Sequence, residues 1–454
     1  MEFAIGRTNV AAGRVFTVWV GLLTACYLAV LPMAGTIALR SLTLVALLLS
    51  LTWHFRAIRF AGKWDLPIVL WVCYLLFFPV ISDSPMAAID SVVSQWGRGV
   101  LAMVVGAGVA AIFCRKELGS SFLLGLVSAF PILVHLVLFG WKALTTSSIP
   151  WGYWGRETHH ADLGYAAGQA VVLLVVSIVA GHRKVGTVAF ALVLACLAST
   201  ALAQSRAGLV FCLIGAVLVG ASAYLTQARH LQKHMLSGLV GVMFAASTVI
   251  FVALKEDVRW QNMVTHLVAG LEGDAIQIQC EGTISIEAAV ISKYGQGEQA
   301  QRLISSVRDG DGSRVVLLRA GLDLALGNPM GSDGSKHAFQ KLLAKRCEHP
   351  AIAMAHVHNG WIDTALALGW IGVVLYFLVL LHFFKLGYFY LRRTRQLNEW
   401  ALVLATMSIF WISRSFTDSV FRDHMLEMQG FVLAYAAVAL NLQAMSKNHQ
   451  ILPR

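Results

Sequence analysis

Residues 163–181, LGYAAGQAVVLLVVSIVAG, contain no charged side chain, and neither do residues 185–203, VGTVAFALVLACLASTALA. Each stretch is 19 residues long, close to the ~20 mostly apolar residues that a helix needs to cross the hydrocarbon core of a bilayer. Only His182, Arg183 and Lys184 separate the two stretches. This pattern predicts two antiparallel membrane-spanning helices joined by a tight turn.

The same pattern recurs along the whole chain. Hydrophobic residues occupy 57% of the 454 positions and charged residues 13%, whereas a soluble domain has about 25% charged residues. Apolar segments fall at residues 15–33, 35–53, 66–82, 98–114, 120–141, 163–181, 185–203, 207–226, 235–254, 359–384, 399–415 and 424–443. The sequence therefore predicts an all-α polytopic membrane protein with about 12 transmembrane helices.

The distribution of lysine and arginine predicts the orientation of these helices. With the N-terminus in the cytoplasm, the cytoplasmic loops and termini contain 17 lysine and arginine residues and the opposite short loops contain 7. Cytoplasmic loops are enriched in these residues, so both termini are predicted to be cytoplasmic. The seven exceptions are Arg40, Arg98, Lys142, Arg156, Arg206, Arg414 and Arg422. An arginine that lies against this preference is a candidate for binding an anion.

One segment on the far side of the membrane is much longer than the others. Residues 255–358 separate transmembrane helices 1–9, in residues 1–254, from helices 10–12, in residues 359–454. The segment mixes helical patterns with glycine-rich turns, which predicts a compact subdomain on the membrane surface. It also contains Cys280 and Cys347. A compartment outside the cytoplasm permits a disulfide between them.

Four polar residues on this side suit one kind of chemistry. Arg206 lies in a tight turn between two spans and Arg319 in a helical stretch of the long segment. His356 and His358 directly precede a span. A guanidinium grips phosphate with two parallel hydrogen bonds, and an imidazole titrates near neutral pH and accepts a proton from a hydroxyl. Glycosyl transfer from a lipid pyrophosphate needs cationic side chains that bind the pyrophosphate and a base that accepts a proton from the acceptor.

Neither a metal nor a nucleic acid is predicted as a partner. His356 and His358 would diverge by about 200° on a helix, and no acidic or thiolate ligand is spaced near them. We therefore expect no metal and no cofactor. The net charge is +11, but no basic patch is interleaved with aromatic residues as nucleic-acid binding requires.

Three motifs resemble the O-antigen ligase and O-antigen polymerase superfamily. In chain order they are SRAG (205–208), Arg319 followed by LGNPMG (326–331), and HNGWID (358–363) running into LGWIG (368–372). Together with the single long far-side segment and the spans, the resemblance covers most of the chain. It is closest to the ligases.

This resemblance implies a specific fold and reaction. Members have a membrane-embedded glycosyltransferase C-type (GT-C) fold, lie in the bacterial inner membrane and act on its periplasmic face without a metal. The ligases transfer a glycan from undecaprenyl pyrophosphate to a sugar hydroxyl of lipid A–core in lipopolysaccharide biosynthesis, inverting the anomeric centre. By this resemblance Arg206 and Arg319 bind the pyrophosphate. His358 is the catalytic base, with His356 as a rival for that role.

Other functions stay open from the sequence. An O-antigen polymerase would lengthen a glycan on its lipid carrier, but such polymerases have two sizeable far-side loops, and here only one is long. A protein glycan ligase belongs to the same superfamily. A secondary transporter or lipid flippase is a different class, in which repeated halves are common, and the sequence has no clear internal repeat.

Overall fold

The computed structural model describes residues 13–53, 66–114, 119–155, 160–181, 183–226, 263–309, 311–351, 354–394 and 397–451, with isolated positions between 241 and 260. The secondary structure of these residues is helical. The helices before the long segment are α1 (Arg14–Val30), α2 (Ile37–Trp53), α3 (Leu66–Ile81), α4 (Pro85–Ser91), a π-helical turn (Val92–Trp96), α5 (Gly97–Phe113), α6 (Ser121–Ser128), α7 (Phe130–Thr146), α8 (His160–Val179), α9 (Arg183–Leu202) and α10 (Arg206–Thr226).

The long segment and the C-terminal part are also helical. The long segment contains α11 (Met263–Ala269), α12 (Ala275–Glu281), α13 (Ile284–Tyr294), α14 (Glu298–Asp309), α15 (Asp311–Gly327) and α16 (Ala338–Ala344). The C-terminal helices are α17 (Gly360–Thr394), α18 (Glu399–Arg414) and α19 (Asp423–Ile451). As the GNP sequence at 327–329 predicts, α15 ends at Gly327.

Seven helices in the described part of the chain are long and apolar enough to cross a membrane: Pro85–Phe113, Ser121–Thr146, Ala161–Val179, Val185–Leu202, Arg206–Leu225, Gly360–Thr394 and Asp423–Met445. Helices α1, α2 and α3 are apolar but shorter. These findings confirm the all-α class for the described residues and are consistent with a polytopic membrane protein. The predicted segment 235–254 lies almost entirely outside the described residues. The number of 12 spans, the division into three parts and the GT-C fold stay predictions.

Helices α8 and α19 occupy central positions in the bundle. Helix α8 contacts α6, α9, α10 and α18, whereas α19 packs along α5. A Cβ atom at Gly106 of α5 would lie 2.2 Å from the carbonyl oxygen of Phe431 in α19, so only glycine fits there. Small residues allow membrane helices to approach this closely. This close contact holds α19 against α5.

Helix α17 bends at Gly369, whose φ of 74° and ψ of 174° are not helical. The carbonyl oxygen of Pro329, in the turn after α15, accepts a hydrogen bond from the backbone N–H of Trp370 (3.0 Å). A Cβ at position 369 would lie 2.6 Å from the carbonyl carbon of Met330, so this position needs glycine for both space and φ. The predicted span 359–384 is therefore two helical pieces, and the second continues to Thr394.

Cys280 and Cys347 form a disulfide with a Cα–Cα distance of 5.7 Å. The bond joins α12 to the chain that follows α16 and closes a loop with a sequence separation of 67. The pairing that the sequence permits is therefore present. It connects the first and last parts of the long segment.

We expect the Cys280→Ser/Cys347→Ser variant to be less stable by about 2–5 kcal/mol, because the disulfide restricts the unfolded chain. Thermal unfolding of purified protein in detergent, with and without reductant, measures the effect. Reductant should lower the unfolding midpoint of the wild type to that of the variant and leave the variant unchanged. A wild-type midpoint that does not respond to complete reduction would contradict a stabilising role.

Candidate functional site

A cavity of about 460 Å³ lies where the ends of α8, α10, α18 and α19 meet the start of α15 and the chain before α17. Its lining is rich in ionisable groups. The polar residues that line it are Asp162, Tyr165, Gln204, Ser205, Arg206, Arg314, His356, His358, Arg414, Asp418, Arg422, Asp423 and His424. Of the predicted site residues, Arg206, His356 and His358 are brought together here, and Arg319 is not.

His358 forms a pair with Asp418, which lies 60 residues later in the α18–α19 connection; Nδ1 is 3.4 Å from Oδ1. Burial alone would raise the pKa of Asp418, but hydrogen bonds from His358 and Tyr165 and the charge of Arg414 hold it below its usual range. Asp418 is therefore an anion at neutral pH. A carboxylate on Nδ1 fixes the ring orientation and leaves Nε2 to accept a proton.

His356 occupies a different environment, although its ring centroid is only 4.3 Å from that of His358. Burial lowers the pKa of His356 to about 3, and the charges of Arg422 and His358 contribute. Its Nδ1 is buried without a hydrogen-bond partner among the described residues. The imidazole of His356 is therefore neutral near pH 7.

Two polar residues at the start of α17 hold the segment that contains His356 and His358 in place. Asn359 caps the helix by accepting hydrogen bonds from two backbone N–H groups (3.1 and 3.0 Å), and its amide donates to the carbonyl of Phe416 (3.0 Å). Asp363 accepts a hydrogen bond from the backbone N–H of Val357 (3.1 Å). His358 itself has a φ of 57°, a left-handed conformation that this network maintains.

Arg206 is oriented by a bidentate ion pair with Asp311 at the start of α15, with distances of 2.8 and 2.5 Å. Arg206 lies in the first turn of α10, and its guanidinium is 5.8 Å from the ring centroid of Trp260. The ion pair ties the turn between two membrane helices to the long segment. One predicted phosphate ligand is thus fixed at the cavity wall.

Arg414 and Arg422 add positive charge to the cavity from the end of α18 and the α18–α19 connection. The guanidinium of Arg414 is fully buried and lies 4.9 Å from the ring centroid of Tyr165 and 4.8 Å from that of Phe211. Among the described residues, Nε of Arg414 and Nε of Arg422 are buried without a hydrogen-bond partner. Buried polar groups are normally paired. Both arginines line the cavity, and guanidinium groups are suited to binding an anionic ligand.

Arg319 lies outside the cavity, in contrast to the placement that its predicted role requires. Its guanidinium donates to the backbone carbonyls of Gly270 (3.1 Å), Glu272 (3.3 Å) and Gly273 (2.7 Å). Arg314, on the same helix, lines the cavity instead. Positions five apart on a helix point about 140° apart, so the two arginines face different surroundings. In this structure Arg319 stabilises the turn between α11 and α12.

Several cavity residues have no signal in the sequence strong enough to identify them. Asp418 belongs to the site because its carboxylate contacts His358, and that contact exists only in the folded chain. His424 pairs with Asp162 (3.1 Å) across an even longer separation. Arg414 and Arg422 do have a signal, because both are exceptions to the charge bias of the loops. The charge bias therefore marks them as candidates for binding an anion, although it assigns them no particular role.

The ligand-capable atoms of His356, His358 and Asp418 lie within 4.8 Å of one another. The histidines are not on a helix, so they do not diverge, and the folded chain supplies a carboxylate that sequence spacing did not reveal. The expectation of diverging histidines without a nearby carboxylate is therefore wrong. Three such groups suit zinc or another divalent ion.

Taken together, the apolar helices are consistent with a multi-pass membrane protein, and the cavity is an arginine-rich site that contains histidine. Residues 169–377 match the family model described as O-antigen ligase. No curated protein matches the chain. This match supports membership of the O-antigen ligase and polymerase superfamily, whose members are glycosyltransferase-like ligases and polymerases. The matched region includes Arg206, Arg314 and His358, whereas Asp418 and Arg422 lie beyond it.

Proposed function

We propose that this protein is an O-antigen ligase that transfers a glycan from undecaprenyl pyrophosphate to a sugar hydroxyl of lipid A–core. The observation that carries the proposal is the cavity, where four arginines surround a histidine–aspartate pair. The family match supports the reaction class. The choice of ligase over polymerase rests on the single long far-side segment.

The arginines of the cavity are assigned to the pyrophosphate. Arg206, Arg314 and Arg422 come from three separate elements and line the same space, so they can contact both phosphates. Positive charge placed around a leaving pyrophosphate stabilises the charge that develops as its bond to the sugar breaks. The wall also contains the carboxylates of Asp162, Asp418 and Asp423. They are paired with His424, Arg414 and Lys336, respectively.

His358 is assigned as the base and His356 as a neutral neighbour. A base whose conjugate acid has a pKa of about 3, as for His356, is too weak for efficient proton transfer at neutral pH. In His358, Nδ1 contacts the carboxylate of Asp418, which stabilises the imidazolium that forms when the ring accepts a proton. This arrangement is typical of histidines that act as general bases.

The proposed reaction is a single displacement. The acceptor hydroxyl gives its proton to Nε2 of His358, and its oxygen forms a bond to the anomeric carbon. The bond from that carbon to the pyrophosphate oxygen breaks, and undecaprenyl pyrophosphate leaves with the bonding electrons. Attack from the opposite face inverts the anomeric centre. We propose that no metal takes part, because the arginines supply the positive charge.

The proposal places the chain in the bacterial inner membrane with both termini in the cytoplasm and the cavity on the periplasmic face. The bias of 17 lysine and arginine residues against 7 supports this orientation. The disulfide in the long segment is consistent with a compartment outside the cytoplasm.

Product analysis with purified protein tests the proposed reaction. The substrates are a glycan linked to undecaprenyl pyrophosphate and lipid A–core, and mass spectrometry identifies which molecule receives the glycan. We expect glycan on lipid A–core. Glycan that lengthens on its lipid carrier would identify a polymerase, and no product at all would favour the transporter.

A further inference from the structure

Helix α15 exposes a row of apolar residues that begins beside the cavity. Leu318, Leu322 and Leu326 are exposed to 37%, 41% and 64%. They are spaced four residues apart, so they follow one side of the helix. Met330, just beyond its end, is also exposed. We call these four residues the leucine row. Arg314, one further step of four toward the N-terminus, lines the cavity.

The leucine row is not needed for the core of the long segment. The other side of α15 supplies that core through Val316, Leu317, Ala320 and Leu324, which are buried, and it packs against α11, α12 and α17. Solvent-facing surfaces rarely carry such a continuous apolar strip without a partner. The leucine row therefore faces something apolar.

The far end of the leucine row adjoins a membrane-spanning helix. The indole Nε1 of Trp370 donates to the carbonyl of Ala325 (3.3 Å), which fixes this end of α15 against the second piece of α17. Ile371 and Val374 of that piece are exposed as well. Exposed apolar side chains thus recur along α15 from the turn after Arg314 to its end, and others lie on the piece of α17 to which that end is hydrogen-bonded.

We propose that the leucine row binds the first part of the isoprenoid chain of the lipid pyrophosphate donor. This inference rests on the proposed function. A pyrophosphate held by Arg314 carries its isoprenoid on the adjacent phosphate, and the step from residue 314 to 326 covers about 18 Å of helix. A single molecule with an anionic head and an apolar chain matches both ends of this surface. Bulk phospholipid is the competing occupant, and it would contact the leucine row whether or not a donor is bound.

Donors that differ only in chain length separate the two occupants. The first has an undecaprenyl chain and the second a geranyl chain, both with the same glycan pyrophosphate. We expect Leu322→Gln and Leu326→Gln to raise KM for the undecaprenyl donor about tenfold, equal to about 1.4 kcal/mol. KM for the geranyl donor and kcat for both should stay unchanged. The control is Ile284→Gln on α13, 75% exposed and outside the leucine row, which should alter neither KM.

Equal effects on both donors, or none, would overturn the proposal and leave bulk lipid as the occupant. Failure of the wild type to transfer from either donor would count against the proposed function instead.

Photolabelling tests binding of the isoprenoid chain to the leucine row without requiring any glycan transfer. Geranylgeranyl pyrophosphate with a benzophenone at its chain end should label the α15 peptide, with competition from unlabelled pyrophosphate but not from geranylgeraniol. Labelling spread evenly over the transmembrane helices would contradict the leucine row as the binding surface.

Discussion

The His358→Asn variant is expected to transfer glycan about 10²- to 10⁴-fold more slowly than the wild type, the usual contribution of a general base. Asparagine is the appropriate replacement because His358 has a φ of 57°, and asparagine tolerates that conformation better than most residues. It removes the basic nitrogen without straining the backbone. The initial rate of transfer to lipid A–core at saturating donor is the measurement.

Two other histidines serve as controls for that variant. His349→Ala changes an exposed histidine outside the cavity and should leave the rate unchanged. His356→Phe removes the neutral neighbour and should reduce the rate far less than the change at His358, because His356 is not the base. A larger loss from His356→Phe than from His358→Asn, with both proteins folded, would reverse the assignment.

The second large effect is expected from Arg314→Ala, with a loss of about 10²- to 10³-fold in transfer rate. This is the usual cost of removing one donor that stabilises transition-state charge. Arg314 is exposed at the cavity, so the substitution should not disturb packing. Transfer rate and thermal midpoint, measured on the same preparation, separate a loss of function from a loss of folding.

Arg319→Ala is the matched control on the same helix. It removes hydrogen bonds to three backbone carbonyls and should lower the free energy of unfolding by about 1–3 kcal/mol. The transfer rate of the folded protein should stay within a few-fold of wild type. If Arg319→Ala abolished transfer in a stable protein while Arg314→Ala did not, the role that the family resemblance gives to Arg319 would be correct and the role of Arg314 would be wrong.

The transmembrane helices are predictable from the sequence because apolar runs are local. The helix ends of residues 163–181 and 185–203 agree with α8 and α9 to within a few residues. The bend at Gly369 is not predictable, because it depends on the turn after α15 that packs against it. Only the folded chain shows that one apolar run becomes two helical pieces.

The site is predictable only in part, and for a physical reason. Arg206 and His358 lie in turns next to spans, where topology alone brings them to one side of the membrane. Which arginine of a helix faces a cavity depends on how the helix is rotated. The sequence indicated Arg319, whereas in the structure Arg314 lines the cavity. Asp418 became a partner of His358 through tertiary contact, which no local pattern records.

Transfer in the presence of a chelator tests the central claim most directly. Purified wild-type protein is assayed for transfer from undecaprenyl pyrophosphate to lipid A–core with and without EDTA, and its bound metal is quantified by mass spectrometry. We expect equal rates, less than one metal ion per chain, and loss of transfer in His358→Asn under both conditions. Transfer that EDTA abolishes and a divalent ion restores would contradict metal-free transfer. It would make His356, His358 and Asp418 metal ligands.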